Sequence, residues 1–109
     1  VALQPLLDAR ARLTLMGLLH RHRDVSARAA RKTLGLTDGN LASHAARLEE
    51  AGWLQSRRAL SPTGFEVRYR ITAEGSRAFR EHVEELRRLL GEWDDGAFAE
   101  APLNPSEIR

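Results

Sequence analysis

The sequence predicts one mainly α-helical domain that carries a small β-hairpin. Three observations point there. Apolar residues recur at helical spacing in four stretches. Two of those stretches are joined by a tight turn around Gly35. From Phe65 to Thr72 apolar and polar residues alternate strictly, the period of a half-buried strand. A length of 109 residues fits a single domain.

Each element follows in order. Pro5 suits a helix start, because its missing N–H would be unpaired there. Leu6, Arg10, Leu13, Met16 and Gly17 then keep a helical period, widened by Leu15, Leu18 and Leu19, and the helix should end near Arg21. His22 to Val25 reads as a short extended link or minor strand. Ser26 can cap a second helix, Ala27 to Leu34, with Ala30 and Leu34 inward and Gly35 as its stop. Thr37 can cap a third, from Asp38 to about Ala51, with Leu41, Ala45 and Leu48 as its core stripe. Asn40, Ser43, His44 and Arg47 fall on the opposite side. Helix, tight turn and helix together make a helix-turn-helix.

Leu54 to Leu60 reads as a strand, and Ser61-Pro62-Thr63-Gly64 as a turn. Phe65, Val67, Tyr69 and Ile71 should face inward on the return strand, with Glu66, Arg68, Arg70 and Thr72 outward. Thr72 caps a last helix from Ala73 to about Leu90, with Phe79, Val83, Leu86 and Leu90 as its stripe and Gly91 as its stop. The domain therefore spans residues 1–91. Residues 92–109 form an acidic tail with Pro102 and Pro105, read as a mobile tail or a docking strip.

Charge follows the same division. Residues 1–91 hold 16 Lys and Arg against 10 Asp and Glu, while residues 92–109 hold one Arg against five acids. The folded part is thus more basic than the overall +2. Lys32 is its lone lysine, and arginine's planar fork suits phosphate and guanine. A GC-rich genome would give the same Arg bias, so placement must carry the argument. Cysteine is absent, which removes disulfides and thiolate chemistry and fits a reducing cytoplasm. No apolar run approaches the ~20 residues of a membrane span, and no secretory leader is expected.

The chain resembles the winged helix-turn-helix regulators of the MarR and ArsR type over about residues 3–91. The resemblance rests on Arg12-Leu13 and Leu18-Leu19, on Leu34 to His44, on Leu48-Glu49-Glu50-Ala51-Gly52-Trp53-Leu54, and on Tyr69-Arg70-Ile71-Thr72-Ala73-Glu74-Gly75. Their order and spacing, more than any one piece, carry it. Ala45 departs from it, where a larger apolar residue is expected. The resemblance implies a homodimer joined by its first and last helices, and gene regulation, most often repression.

It also implies a mode of binding to double-stranded DNA. The third helix would enter the major groove, and the hairpin, as the wing, would track the backbone or a minor groove. Asn40 suits adenine, and Arg47 suits guanine or phosphate. Ser43 and His44 reach a base edge or a phosphate, and Thr37 with the helix-start N–H groups can hold a phosphate oxygen. Asp38 reads as a helix-start residue or as an acceptor for cytosine, the first being preferred. The wing offers Arg57, Arg58, Arg68 and Arg70, and Arg28, Arg31 and Lys32 could add backbone contacts. A dimer would read an inverted repeat with half-sites about 34 Å apart. Leu3, Leu6 and Leu7 would join the last helix at the dimer interface.

Other chemistries find little support. The chain has no Gly-rich phosphate loop, nucleophile elbow or HExxH, so no enzyme and no cofactor is expected. His20 and His22 do not share a helix face, and His82 with Glu85 lacks a third metal ligand. His82, Glu84 and Glu85 read as helix surface. Trp53 and Tyr69 read as core. His44 could make DNA binding pH-sensitive. The serious alternative is a winged-helix adaptor that binds protein instead of DNA.

Overall fold

The computed structural model describes residues 3–94, so residues 95–109 of the acidic tail lie outside the described residues. Helix α1 (Arg10–His22) is followed by strand β1 (Asp24–Ser26), helix α2 (Ala27–Leu34) and helix α3 (Asp38–Glu50). Strands β2 (Leu54–Ser61) and β3 (Gly64–Ile71) form the hairpin, and helix α4 (Ala73–Asp94) ends the described chain.

The helix expected from Pro5 is interrupted. Pro5–Leu7 makes a single 3₁₀ turn, and Ala9 is extended (φ −75, ψ 124) before α1 begins at Arg10. Two local gains explain the break. Leu7 becomes almost fully buried, and Arg12 Nε donates to the Leu6 carbonyl at 2.6 Å. Burying Leu7 and pairing that carbonyl outweigh one more helical turn.

The helix-turn-helix forms as its capping residues dictate. Ser26 Oγ accepts the Ala29 N–H at 3.1 Å, and Thr37 Oγ1 accepts the Asn40 N–H at 3.1 Å. Gly35 takes the left-handed conformation (φ 66) that ends α2. The extended link becomes β1, which pairs antiparallel with β3, so the sheet has three strands in the order β1-β3-β2. Arg23, in a positive-φ conformation (φ 70), turns the chain into it, and its carbonyl accepts the Ile71 N–H at 3.1 Å.

One joint ties the hairpin root to α4. Thr72 Oγ1 accepts the Gly75 N–H at 2.9 Å and donates to the Gly52 carbonyl at 2.7 Å, while the Thr72 N–H reaches the Trp53 carbonyl at 3.0 Å. Gly75 is obligatory for this closeness: a Cβ there would lie 2.0 Å from the Trp53 oxygen. Helix α4 does not stop at Gly91 but continues to Asp94. Gly91 keeps a right-handed conformation, and Arg88 bridges it by pairing with Glu85 before it and Glu92 after it, the latter at 2.6 Å.

A single core joins α1 (Leu15, Met16, Leu19), α2 (Ala30), α3 (Leu41, Ala45, Leu48) and the sheet (Leu54, Tyr69, Ile71). Trp53 and Tyr69 are buried in it, as expected. Ala45 is buried in the same cluster. The first turns of α4 close this core through Ala78 and Phe79, with His20 Nδ1 3.1 Å from Ser76 Oγ. His82 is not helix surface. It is 2% exposed, and its Nδ1 accepts the Gln4 N–H at 2.9 Å, which docks the N-terminal turn on α4. Further along, Val83, Leu86 and Leu89 are half-buried and Leu90 is 52% exposed.

Candidate nucleic-acid interface

The outer face of α3 presents Asn40, Ser43 and Arg47, all exposed. Among the described residues, none of these three side chains has a hydrogen-bond or ion-pair partner. Gly39 has open space where a Cβ would stand, so the backbone there is approachable. Thr37 spends a lone pair on its cap yet keeps its hydroxyl proton to donate. Asp38 pairs with Arg31 Nε at 3.0 Å, which matches its reading as a helix-start residue and leaves Arg31 partly engaged. Arg28 and Lys32 are exposed on α2.

His44 differs from its neighbours. Its ring is half-buried, and Nδ1 lies 3.2 Å from Arg12 Nη1. Desolvation, then the Arg12 and Arg47 cations, hold its pKa below the usual histidine range. The neutral ring therefore accepts from Arg12, which joins α1 to α3 while its Nε holds Leu6.

The wing has two chemically distinct faces. Residues directly opposed across an antiparallel pair share a face. Leu54, Ser56, Arg58 and Leu60 therefore lie with Ile71, Tyr69, Val67 and Phe65. This is the α3 side, since Glu49 of α3 accepts from Ser56 N at 3.1 Å and from its hydroxyl at 2.8 Å. Arg58 lies over the Phe65 ring, 4.9 Å from its centroid. The other face carries Arg57, Arg68 and Arg70 with Glu66 and Asp24.

On that far face two arginines are engaged. Asp24 Oδ2 accepts from Arg57 Nη2 at 2.7 Å, and Oδ1 from Arg68 Nε at 2.8 Å. Arg68 also donates to Glu66 at 3.0 Å. The Arg57 and Arg68 guanidiniums hold the Asp24 carboxyl below its ordinary pKa. Among the described residues, no carboxylate pairs with Arg47, Arg58 or Arg70.

The expected burial of the return strand holds at its root and fails at its tip. Tyr69 and Ile71 are buried, but Phe65 is 69% exposed, Val67 is also exposed, and Leu60 across from Phe65 is 78% exposed. Among the described residues, no element covers the inward face of the tip.

A family model described as a winged helix DNA-binding domain matches residues 11–90. The chain belongs to that family. Its three-helix body, its hairpin and the following helix are the elements just described. The chain is 28% identical over 78 residues to the uncharacterized protein MJ0432 of Methanocaldococcus jannaschii, covering 72% of this chain and 85% of that one. The solved structure of a transcriptional regulator homologue from Pyrococcus horikoshii is 26% identical, with a TM-score of 0.77 over 82% of this chain and 88% of its own. A PadR family transcription regulator from Clostridium difficile shares the fold at 17% identity, with a TM-score of 0.70 over 80% and 97% of the two chains. Among the described residues, no helix is long and apolar enough to cross a membrane.

Within this winged helix domain, the expected site residues divide into three sets. Asn40, Ser43 and Arg47 on α3 share the α3 side of the molecule with Arg58 and stand uncommitted, with Thr37 at the head of that helix. Arg70 is exposed but lies on the far face of the wing. His44, Arg57 and Arg68 already have protein partners. Sequence reasoning missed Arg12, Asp24 and Glu49 as organisers. Asp24 could be placed only by knowing that its strand pairs with the wing, and no local pattern says so. Among the described residues no group of three potential metal ligands gathers; Glu85 is paired with Arg88 and His82 with Gln4.

Proposed function

We propose that this winged helix domain is a sequence-specific, dimeric transcriptional repressor that reads an inverted repeat in double-stranded DNA. One observation carries the reading: α3 presents an exposed polar face without partners among the described residues, and the α3 side of the wing carries Arg58, which has no paired carboxylate among them. Helix α3 enters the major groove, where Asn40 and Arg47 read base edges and Ser43 contacts a base edge or a phosphate. Thr37 and the helix-start N–H groups hold a phosphate. Arg58 supplies backbone or minor-groove contacts from the wing, with Arg28 and Lys32 on α2, while Arg70, on the far face, serves looser contacts with phosphates of any sequence.

Dimerisation is part of the proposal. Its support is the outer part of α4, where Val83, Leu86 and Leu89 are only half-buried and Leu90 is exposed. Leu3, also exposed, can join it. Leu6 and Leu7, expected at the interface, instead serve the monomer: Leu7 is in the core and Leu6 packs on it. A twofold axis through α4 would place the two α3 helices on successive major-groove turns.

The test is light-scattering mass combined with fluorescence anisotropy on a mixed-sequence duplex. A dimer that binds at low salt, with log K falling about 0.9 per phosphate contacted as log salt rises, supports the reading. A monomer indifferent to duplex DNA in dilute buffer would overturn it. The adaptor reading keeps one observation in its favour, the exposed Leu60, Phe65 and Val67 at the wing tip. It predicts that duplex binding is absent while the tip is protected in a protein complex.

A further inference from the structure

Asp24 sits where the wing's charge can be set. It lies on β1, whose register with β3 places Asp24 opposite Arg70 and Ser26 opposite Arg68. Arg57 and Arg68 are themselves directly opposed on β2 and β3. Two cations in that position repel. The carboxylate of Asp24 stands between them and gives each arginine its own oxygen, at 2.7 and 2.8 Å. Because β1 is held in the sheet, the Asp24 backbone stays beside both arginines, and its carboxylate leaves them only by a side-chain rotation that gives up both bonds. Glu66 takes a further donor of Arg68 at 3.0 Å. The far face of the wing therefore carries three arginines against two carboxylates, whereas Arg58 on the α3 side has no paired acid among the described residues.

Resting on the DNA-binding reading above, we propose that Asp24 is a specificity-determining residue: it withholds Arg57 and Arg68 from DNA phosphates and so limits sequence-independent binding. Phosphate contacts supply essentially all of non-specific affinity and carry no sequence information. The two withheld arginines lie on the face of the sheet opposite α3. When α3 is seated in a major groove, that face turns away from the duplex. When the domain lies loosely on any sequence, the same arginines, if released, reach phosphates. Releasing them therefore strengthens binding to mixed sequence more than binding to the selected site, and the ratio between the two narrows.

The experiment compares the full chain with its Asp24→Asn variant by anisotropy, on a mixed-sequence duplex and on a duplex selected from a random pool. Salt runs from 50 to 200 mM, a range over which each phosphate contact is worth roughly threefold. Asp24→Asn should bind the mixed duplex about 3–10-fold more tightly at the lower salt, with a slope steeper by about 1 to 2 per subunit. The selected duplex should gain less. Adding Arg57→Gln and Arg68→Gln to the variant should return the slope to that of the parent. A role confined to holding the wing together would lower the melting temperature and leave slope and ratio alone, which overturns the proposal. If Asp24→Asn fails to fold, the intact background decides: Arg58→Gln should cost at least about threefold more mixed-duplex affinity than Arg57→Gln, and equal losses refute the idea. Failure of the parent chain to bind any duplex would instead sink the DNA-binding reading on which this rests.

Discussion

The root and the tip of the wing use the same two strands and the same alternation, yet they behave oppositely. At the root, Leu54, Tyr69 and Ile71 are buried, and Thr72, Gly75 and Trp53 lock the strands to α4. At the tip, Leu60, Phe65 and Val67 continue the same face into open space. Alternation chooses which face a side chain takes; only a neighbouring element decides whether that face is covered. The arginines follow the same rule. Where β1 flanks the sheet, Asp24 occupies Arg57 and Arg68, and on the α3 side Arg58 stacks on Phe65 with no paired acid among the described residues.

The largest expected effect is at the root. Gly75→Ala forces a methyl group into the Trp53 carbonyl and should cost at least ~2 kcal/mol in denaturant unfolding followed by circular dichroism. Leu60→Ala and Phe65→Ala at the tip should each stay within about 0.5 kcal/mol. A tip substitution as costly as the root one would break the contrast.

Binding sharpens it next. Asn40→Ala should weaken the selected duplex by ~1–3 kcal/mol and barely affect mixed sequence. Arg58→Ala should weaken both alike and lower the salt slope by about 1 per subunit. Anisotropy on the two duplexes reads both outcomes. Thr37→Ala should remove the cap of α3 and cost about 1 kcal/mol of stability, read by the same unfolding assay.

The smallest effects concern pH. The folded pKa of His44 is depressed, so its contribution to stability is whole above pH ~6.5 and is lost as pH falls from there through the folded value. His44→Gln should flatten that limb. Protonation of His44 is thereby moved to the acid side of the usual histidine range. Asp24 is also depressed, so its contribution is whole above pH ~4 and fades as pH falls through its folded value. Asp24→Asn should make the acid limb shallower, as thermal melts against pH would report.

The fold was largely legible because its signals are local. Ser26, Gly35, Thr37 and Thr72 specify helix ends through bonds to residues three or four positions away, and each sits where the sequence places it. The failures are tertiary. Pro5 promised a continuous helix, and the burial of Leu7 together with the reach of Arg12 to the Leu6 carbonyl cut it. Gly91 looked like a stop, but the Arg88 pairs carry the helix across it. His82 looked exposed because its partner, Gln4, is remote in sequence. In the candidate site, the period of α3 correctly set Asn40, Ser43 and Arg47 outward. The commitments of His44, Arg57 and Arg68 depended on Arg12 and Asp24, which reach them only through the folded chain.

In the proposed complex, α3 of a twofold dimer reads DNA sequence while the wing grips the backbone. Selection of duplexes from a random pool by the purified chain tests it most directly. It should enrich an inverted repeat whose half-site centres lie about 10 base pairs apart, one helical turn. Recovery of unenriched sequence, or of no duplex at all in dilute buffer, would contradict it.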